Sequence, residues 1–209
     1  MPFQTNIRAL PRVIAGLAAI QTIVRPAVRD RYGLHSCIST VRAGLEVLRR
    51  LDVAARPVAV ETFVFNAAFV TRARELDRLP RDRAESDRWF EEVGAHSIGI
   101  TGLAQANGRH WAGHLCILLE NQLLVDASLD QIARPAYGIV PPPLLLLETD
   151  AAFREGRVRL ADTHLGAEFV YRCYPDDRGY EQREWFDRPF ARQVARDALK
   201  WARRTARAA

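Results

Sequence analysis

The chain has 209 residues, of which 48% are hydrophobic and 26% carry a charge. This length suits one domain with a sizeable core, and the composition excludes a disordered chain. The three cysteines are odd in number and irregularly spaced, so we predict free thiols in a reducing, cytoplasmic location rather than a disulfide framework. Because no His/Cys cluster has the spacing of a zinc site, we expect neither a metal ion nor another cofactor.

The net charge of +5 is concentrated at the C-terminus. Residues 187–209 hold six Arg and one Lys against two Asp, so the rest of the chain is close to neutral. This pattern predicts a basic final helix. Its basic face is either a solvated helix surface or a weak contact for an anionic partner such as nucleic acid or acidic lipid.

An apolar run, Val13–Ile20, follows two arginines in the manner of a secretory signal. Gln21 interrupts the run, which is much shorter than the ~20 residues that span a bilayer. We therefore expect no transmembrane segment and instead a packed helix over about residues 7–29, bent or broken near Pro11 and Pro26.

A second helix is predicted to begin after Ser36, a good N-cap residue, with Cys37 as its first residue. Apolar residues at helical spacing continue to Leu51, which indicates a central and buried helix. A strand rich in β-branched and aromatic residues follows at Val58–Phe65.

Residues 71–92 are mostly charged and are divided by Pro80. They predict an exposed excursion with a helix at Ser86–Val93. The excursion is either a solvated insertion or a lid over a site.

The second half of the chain predicts further strands and a final helix. The strands are expected at Ser97–Thr101, Gly113–Leu119, Gln122–Val125 and Glu168–Tyr174, with an Asn107-Gly108 hairpin turn between the first two and a helix from about Pro189 to Arg207. Helices first, then an antiparallel meander, then a helix predict one α+β domain over residues 1–209.

His114 and Asp126 fall on the two arms of one predicted hairpin. If the turn lies near Glu120-Asn121, His114 is opposite or next to Asp126 on one face, with Cβ atoms about 4.5–5.5 Å apart. Asp126 can then fix the imidazole tautomer while the other ring nitrogen faces Cys37. At a helix start, the dipole and free amides favour a thiolate and can stabilise an oxyanion.

Each of these three residues also has a structural interpretation. Cys37 can be a small core residue, and His114 can be a hydrogen-bonded core histidine. Asp126 can cap the turn that follows it. The three together, at a helix start and on one hairpin face, favour a site.

Two further residues are predicted to bind substrate. Trp111 precedes the histidine strand and is either a substrate contact or a core anchor. Gln131 follows Asp126 and either donates to an oxyanion or packs in its loop. Cys116 shares the face of His114 and either lines the site or packs as a core thiol.

The segments Ser36-Cys37-Ile38, Trp111–Leu115 and Leu124–Ser128, in this order, resemble the papain-like superfamily in its transglutaminase-like and arylamine N-acetyltransferase-like branch. The resemblance covers about residues 30–135. It implies a catalytic core in which the nucleophile helix packs on an antiparallel β-sheet, with Cys37, His114 and Asp126 as the triad. Residues 136–209 would then form a C-terminal extension.

The hypothesis from the sequence is a cysteine peptidase, amidase or transglutaminase-like acyltransferase that works through a thioester. Its substrate would be a peptide, an amide or another acyl compound, and the acceptor, water or an amine, stays open. The alternative is a catalytically inactive papain-like scaffold that binds a protein or nucleic acid.

Overall fold

A computed structural model of the protein describes residues 10–102, 111–120, 123–149, 159–182 and 188–208. The helices in these ranges are α1 (Leu10–Ala19), α2 (Arg25–Tyr32), α3 (Cys37–Arg50), α4 (Ala67–Glu75), α5 (Arg83–Val93) and α6 (Arg188–Ala208). The strands are β1 (Ala55–Phe65), β2 (Ser97–Ile100), β3 (His114–Leu119), β4 (Leu123–Asp126), β5 (Leu145–Glu148), β6 (Arg159–His164) and β7 (Ala167–Tyr174). This is an α+β architecture, as predicted.

The strands of the described ranges belong to one antiparallel sheet with the order β5-β4-β3-β1-β7-β6, and β2 lies beside β1. A simple meander was expected, but the consecutive strands β3, β4 and β5 and the consecutive pair β6 and β7 lie on opposite sides of β1. β1 is central because β3 pairs along one of its edges and β7 along the other. The strands of the predicted C-terminal extension are therefore part of the same sheet as β1, β3 and β4.

The predicted hairpin between β2 and β3 is wrong. Both strands pair with the same edge of β1, β2 along Thr62–Phe65 and β3 along Ala55–Val60. They lie end to end because β1 is long enough to receive two short partners in line. The Asn107-Gly108 turn lies outside the described residues.

β1 begins at Ala55, three residues before the predicted start, and therefore contains Pro57. β7 pairs with β1 only from Ala59 onward. Within the described residues, one edge of β1 therefore has no strand beside it at Pro57. A strand tolerates a residue without an N–H donor at such an unpaired edge.

The first predicted helix is three consecutive segments, with a π-helical turn, Ile20–Val24, between α1 and α2. Pro26 lacks the N–H that an α-helix would need there, and its ring would clash with the carbonyl of Thr22. The break that was predicted near Pro26 is thus confirmed as a π-helical turn. Residues 7–9 of the predicted helix lie outside the described residues.

The sheet separates two hydrophobic cores. The helix-side core lies between one sheet face and helices α1, α2, α3 and α6, and it includes Val13, Leu17, Ile20, Val41, Leu48, Leu115, Ile117 and Ala195. The predicted packing of the first helix is therefore confirmed. The inner core lies on the other sheet face and includes Val58, Val60, Cys116, Leu118, Leu124, Phe169, Tyr171 and Cys173.

The charged excursion forms α4 and α5, so the helix predicted at Ser86–Val93 is confirmed and starts earlier. Its buried side is a small cluster of Phe69, Trp89 and Ala95, against which Phe65 packs.

Among the helices in the described ranges, none has the length and apolarity of a bilayer-spanning segment.

Candidate active site

His114 begins β3 and Asp126 ends β4, and both side chains are 0% exposed. The ring nitrogen Nε2 of His114 lies 2.7 Å from Oδ2 of Asp126. The predicted contact between the two side chains is therefore confirmed.

The register of the hairpin explains how they meet. Ile117 pairs with Val125 and Leu118 with Leu124, so the next position along places Asp126 opposite Cys116. His114 is thus the diagonal neighbour of Asp126 rather than its direct partner. Both remain on one face because the side-chain period of a strand is two.

The carboxylate of Asp126 has further donors. Oδ1 accepts from the backbone N–H of Ser128 at 3.0 Å, and Oδ2 accepts from the hydroxyl of Tyr171 at 3.0 Å. Asp126 therefore caps its own turn as well as contacting His114. Burial raises the pKa of Asp126, but the positive charge of His114 and these hydrogen bonds outweigh it, so the pKa is below its usual value.

The side chain of Gln131 forms a hydrogen bond with the other ring nitrogen of His114. It lies on a short 3₁₀ turn, Leu129–Ile132, and its Nε2 is 2.8 Å from Nδ1 of the imidazole. An amide nitrogen donates, so Nδ1 accepts, and Nε2 carries the proton that is donated to Asp126. The imidazolium form requires Gln131 to present its carbonyl oxygen instead.

Burial lowers the pKa of His114, but the charge of Asp126 raises it well above the usual value. Cys116 contributes little charge near neutral pH, because burial, and then Asp126, raise the pKa of its thiol to about 12. Asp126 is therefore the group that stabilises a protonated His114.

Cys116 is the thiol next to the histidine. Its sulfur, a ring nitrogen of His114 and a carboxylate oxygen of Asp126 all lie within 4.8 Å of one another. These three atoms could hold a metal ion. The 2.7 Å contact between His114 and Asp126 is, however, shorter than the roughly 3.4 Å between two ligands of a tetrahedral zinc ion. In this arrangement the pair is joined by a proton.

Cys37 is the first residue of α3, as predicted, and is 7% exposed in the helix-side core. His114 pairs with Val60 and so lies on the inner-core side of the sheet. Both ring nitrogens of His114 are already bonded, and neither bond goes to Cys37. The prediction that the second ring nitrogen faces Cys37 is therefore wrong for this arrangement, because Gln131 occupies Nδ1.

The predicted side-chain cap of α3 is wrong. Ser36 is in the N-cap position, but its hydroxyl makes no hydrogen bond to the helix amides. It donates to the carbonyl of Gly33 at 2.7 Å and accepts from Arg25 at 2.9 Å. The guanidinium of Arg25 therefore holds the oxygen that would otherwise cap the helix.

Of the five predicted site residues, the structure brings together His114, Asp126 and Gln131. Trp111 is buried in the helix-side core, with its ring centroid 6.0 Å from that of Tyr180. Its position agrees with a core anchor.

Two groups were missed from the sequence. Tyr171 contributes a hydroxyl from β7, and Arg25 contacts the turn before Cys37. A signal existed for both, because a tyrosine in an apolar strand and an arginine that interrupts an apolar helix each need a polar partner when buried.

Comparisons with protein-family models, with curated proteins and with solved structures find no match to this chain. The papain-like resemblance accordingly remains a prediction from the sequence motifs.

Proposed function

We propose that the protein is a cysteine-nucleophile enzyme that acts on an acyl or amide bond, with Cys37 as nucleophile, His114 as acid and base, and Asp126 as the orienting carboxylate. The observation that carries the proposal is the fully buried His114–Asp126 pair, in which one ring nitrogen contacts a carboxylate at 2.7 Å. A buried histidine oriented in this way is the general acid–base of thiol enzymes.

Cys37 is a better nucleophile than the other two thiols. Cys116 and Cys173 are buried in strands, and burial raises the pKa of both. Cys37 lies at a helix start and is 7% exposed, against 0% for Cys116 and 1% for Cys173, so a substrate or reagent reaches it more readily. All three thiols are free, which suits the reducing cytoplasm that we propose as the location.

The chemistry would begin at Nδ1 of His114, the ring nitrogen that is not bonded to the carboxylate. The reacting form is the neutral imidazole, whose Nδ1 accepts from Gln131. Rotation of the Gln131 side chain frees this Nδ1 to take the thiol proton of Cys37. The sulfur then bonds to the carbonyl carbon, and the backbone N–H of Cys37, together with the Gln131 amide, donates to the oxyanion.

Collapse of this intermediate breaks the bond to the leaving group, which takes the proton from His114 and leaves a thioester on Cys37. Water or an amine, deprotonated by His114, then attacks the thioester carbon and the carbon–sulfur bond breaks. The first acceptor makes the enzyme a peptidase or amidase, and the second makes it an acyltransferase. A papain-like arrangement of α3 on the sheet fits this scheme.

Alkylation by iodoacetamide near neutral pH tests the nucleophile. We expect fast labelling at Cys37, loss of that labelling in Cys37→Ala, and retention in the matched variants Cys116→Ala and Cys173→Ala. His114→Gln should slow it. Fast labelling at Cys116 or Cys173 alone would contradict the proposal and favour the inactive scaffold.

The exposed side of α6 supports a second role. Its buried residues include Val194, Ala195 and Leu199, while five basic residues are exposed: Arg192, Arg196, Lys200, Arg203 and Arg204. We propose that this face contacts a phosphate-rich partner, with nucleic acid as the first candidate. Binding of DNA by the protein should weaken steeply as the salt concentration rises from about 50 to 200 mM. The double variant R196A/R203A should weaken it, and Arg172→Ala, an exposed arginine on β7, should not.

A further inference from the structure

Arg25 is a buried arginine whose five N–H donors are all used. Its side chain is 7% exposed. Nε and one terminal nitrogen donate to Oδ1 of Asp130 at 3.0 and 2.6 Å, and that nitrogen also donates to the carbonyl of Leu34 at 2.9 Å. The other terminal nitrogen donates to the hydroxyls of Ser36 at 2.9 Å and Thr40 at 3.2 Å.

These acceptors belong to two separate parts of the site. Leu34, Ser36 and Thr40 lie on both sides of Cys37 in the chain, within the preceding turn and the first turn of α3. Asp130 directly precedes Gln131 on the 3₁₀ turn that contacts His114. The guanidinium is thus a direct link between the segment with Cys37 and the segment with Gln131.

The backbone before Arg25 explains its direction. The N–H of Arg25 donates to the carbonyl of Ile20, five residues earlier, at the end of the π-helical turn. This wider turn changes the helical register that α1 would otherwise continue into α2. The side chain of Arg25 is then directed at the start of α3, where it contacts Ser36 and Thr40. Arg29, one turn later on α2, has a side chain that is 59% exposed and contacts the other carboxylate oxygen, Oδ2 of Asp130, at 3.3 Å.

We propose that Arg25 is a positioning residue of the candidate active site, because its ion pair with Asp130 holds the turn that carries Gln131 against the first turn of α3. This inference rests on the proposed function. Loss of the guanidinium's hydrogen bonds would let the segment with Cys37 move relative to the segment with Gln131, and displacement of reacting groups by about 1 Å can slow a reaction by roughly a hundredfold. Lysine cannot replace the guanidinium of Arg25, since a single ammonium group cannot reach the acceptors on both segments.

The test compares Arg25→Gln with Arg29→Gln, two arginines that contact the same aspartate. The alkylation rate of Cys37 with iodoacetamide is measured from pH 5 to 9. We expect Arg25→Gln to lower the rate at least about tenfold and to shift its pH profile. Arg29→Gln should leave both unchanged, Arg25→Lys should recover only part of the rate, and Asp130→Asn should behave like Arg25→Gln.

A second measurement does not depend on reactivity. The ¹⁵N resonance of Nδ1 of His114 reports the hydrogen bond to Gln131 in the folded full-length chain. The chemical shift of this resonance should change in Arg25→Gln and should stay the same in Arg29→Gln. If Arg25→Gln does not fold, Arg25→Lys and Asp130→Asn provide the same comparison.

The outcomes separate the two proposals. Fast Cys37 labelling with the same rate, pH profile and Nδ1 resonance in wild type and Arg25→Gln overturns the positioning role and leaves the proposed function intact. No fast labelling of Cys37 in the wild type overturns the proposed function. In that case an Nδ1 resonance unchanged by Arg25→Gln overturns the link between the two segments as well.

Discussion

The hydroxyl of Tyr171 donates to Oδ2 of Asp126 at 3.0 Å, the same carboxylate oxygen that lies 2.7 Å from His114. The tyrosine comes from β7 and the aspartate from β4, on opposite sides of β1 and β3 in the sheet. This contact across the inner core ties the His114–Asp126 pair to the far half of the sheet. The orientation of the imidazole therefore depends on strand pairing well away from its own hairpin.

Tyr171→Phe removes this hydroxyl without changing the ring. A hydrogen bond to a buried charged group stabilises a protein more than a hydrogen bond in an exposed position does. We therefore expect a loss of about 1.5–3 kcal/mol in the free energy of unfolding, measured with urea. The control is Tyr174→Phe on the same strand, whose half-buried hydroxyl donates to Glu61 at 2.8 Å. It should cost less than about 1 kcal/mol, and equal losses in the two variants would contradict the role of burial.

The His114–Asp126 pair should make stability depend on pH. The pKa of His114 in the folded protein is well above the usual 6.5 because of Asp126. Its contribution to the free energy of unfolding is therefore fully present below about pH 6.5 and is lost as the pH rises through the folded pKa. The pKa of Asp126 is lowered from 3.8, so its contribution is lost only as the pH falls through that lowered value.

Urea unfolding of wild type and His114→Gln at pH 6, 8 and 10 measures this contribution. The difference in free energy of unfolding should be largest at pH 6 and should shrink toward pH 10. The control His164→Gln changes a half-buried histidine on β6. A difference that grows with pH would show that His114 is neutral in the folded protein.

Asn66 joins four backbone groups at the start of α4. Its Oδ1 accepts from the N–H groups of Phe69 and His96, and its Nδ2 donates to the carbonyls of Gly94 and Tyr137, all at 2.9 Å. Asn66→Asp would place a carboxylate oxygen against two carbonyl oxygens. We expect a loss of about 1–3 kcal/mol in the free energy of unfolding, since two part-buried carbonyl groups lose their donor.

The matched control for Asn66→Asp is Asp82→Asn, the opposite exchange at an exposed N-cap. Asp82 accepts from the N–H of Glu85 at 2.8 Å, and asparagine caps a helix about as well. Its unfolding midpoint should stay close to that of the wild type. A similarly small effect of Asn66→Asp would mean that Nδ2 contributes little.

Gly113 precedes His114 with φ +97°, and an added Cβ would lie 2.7 Å from the carbonyl oxygen of Thr101. Gly94 has φ +70° at the end of α5, with open space around it. Gly94→Ala should cost about 1–2 kcal/mol from backbone strain alone. Gly113→Ala should cost about 1–3 kcal/mol more from the clash and should slow Cys37 labelling, which Gly94→Ala should not. Equal unfolding midpoints would exclude the close approach to Thr101.

The sequence predicted the features that depend on local pattern. The start of α3 at Cys37 follows from helical spacing, and the shared face of His114 and Asp126 follows from the two-residue period of strands. The bounds of β3 and β7 agree with the predictions to within one residue for the same reason.

Features that depend on distant partners could not be predicted in this way. The Ser36 hydroxyl is a good cap in isolation, but Arg25 binds it instead. β6 has few β-branched residues and exists because it pairs with β7. The contact of Tyr171 with Asp126 requires β7 to lie beside β1, and no local pattern specifies that order.

The central position of β1 has a consequence for synthesis of the protein. Among the described strands, β1 is synthesised before the others, while β7, its partner on one edge, is complete only at Tyr174. At translation rates of about 5–20 residues per second, that edge stays open for roughly 5–20 s. During this interval the nascent chain carries an unpaired apolar strand, a form that chaperones bind and that aggregates at high concentration. The polar network around His114 is thus completed only after Tyr171 has been synthesised, 45 residues after Asp126.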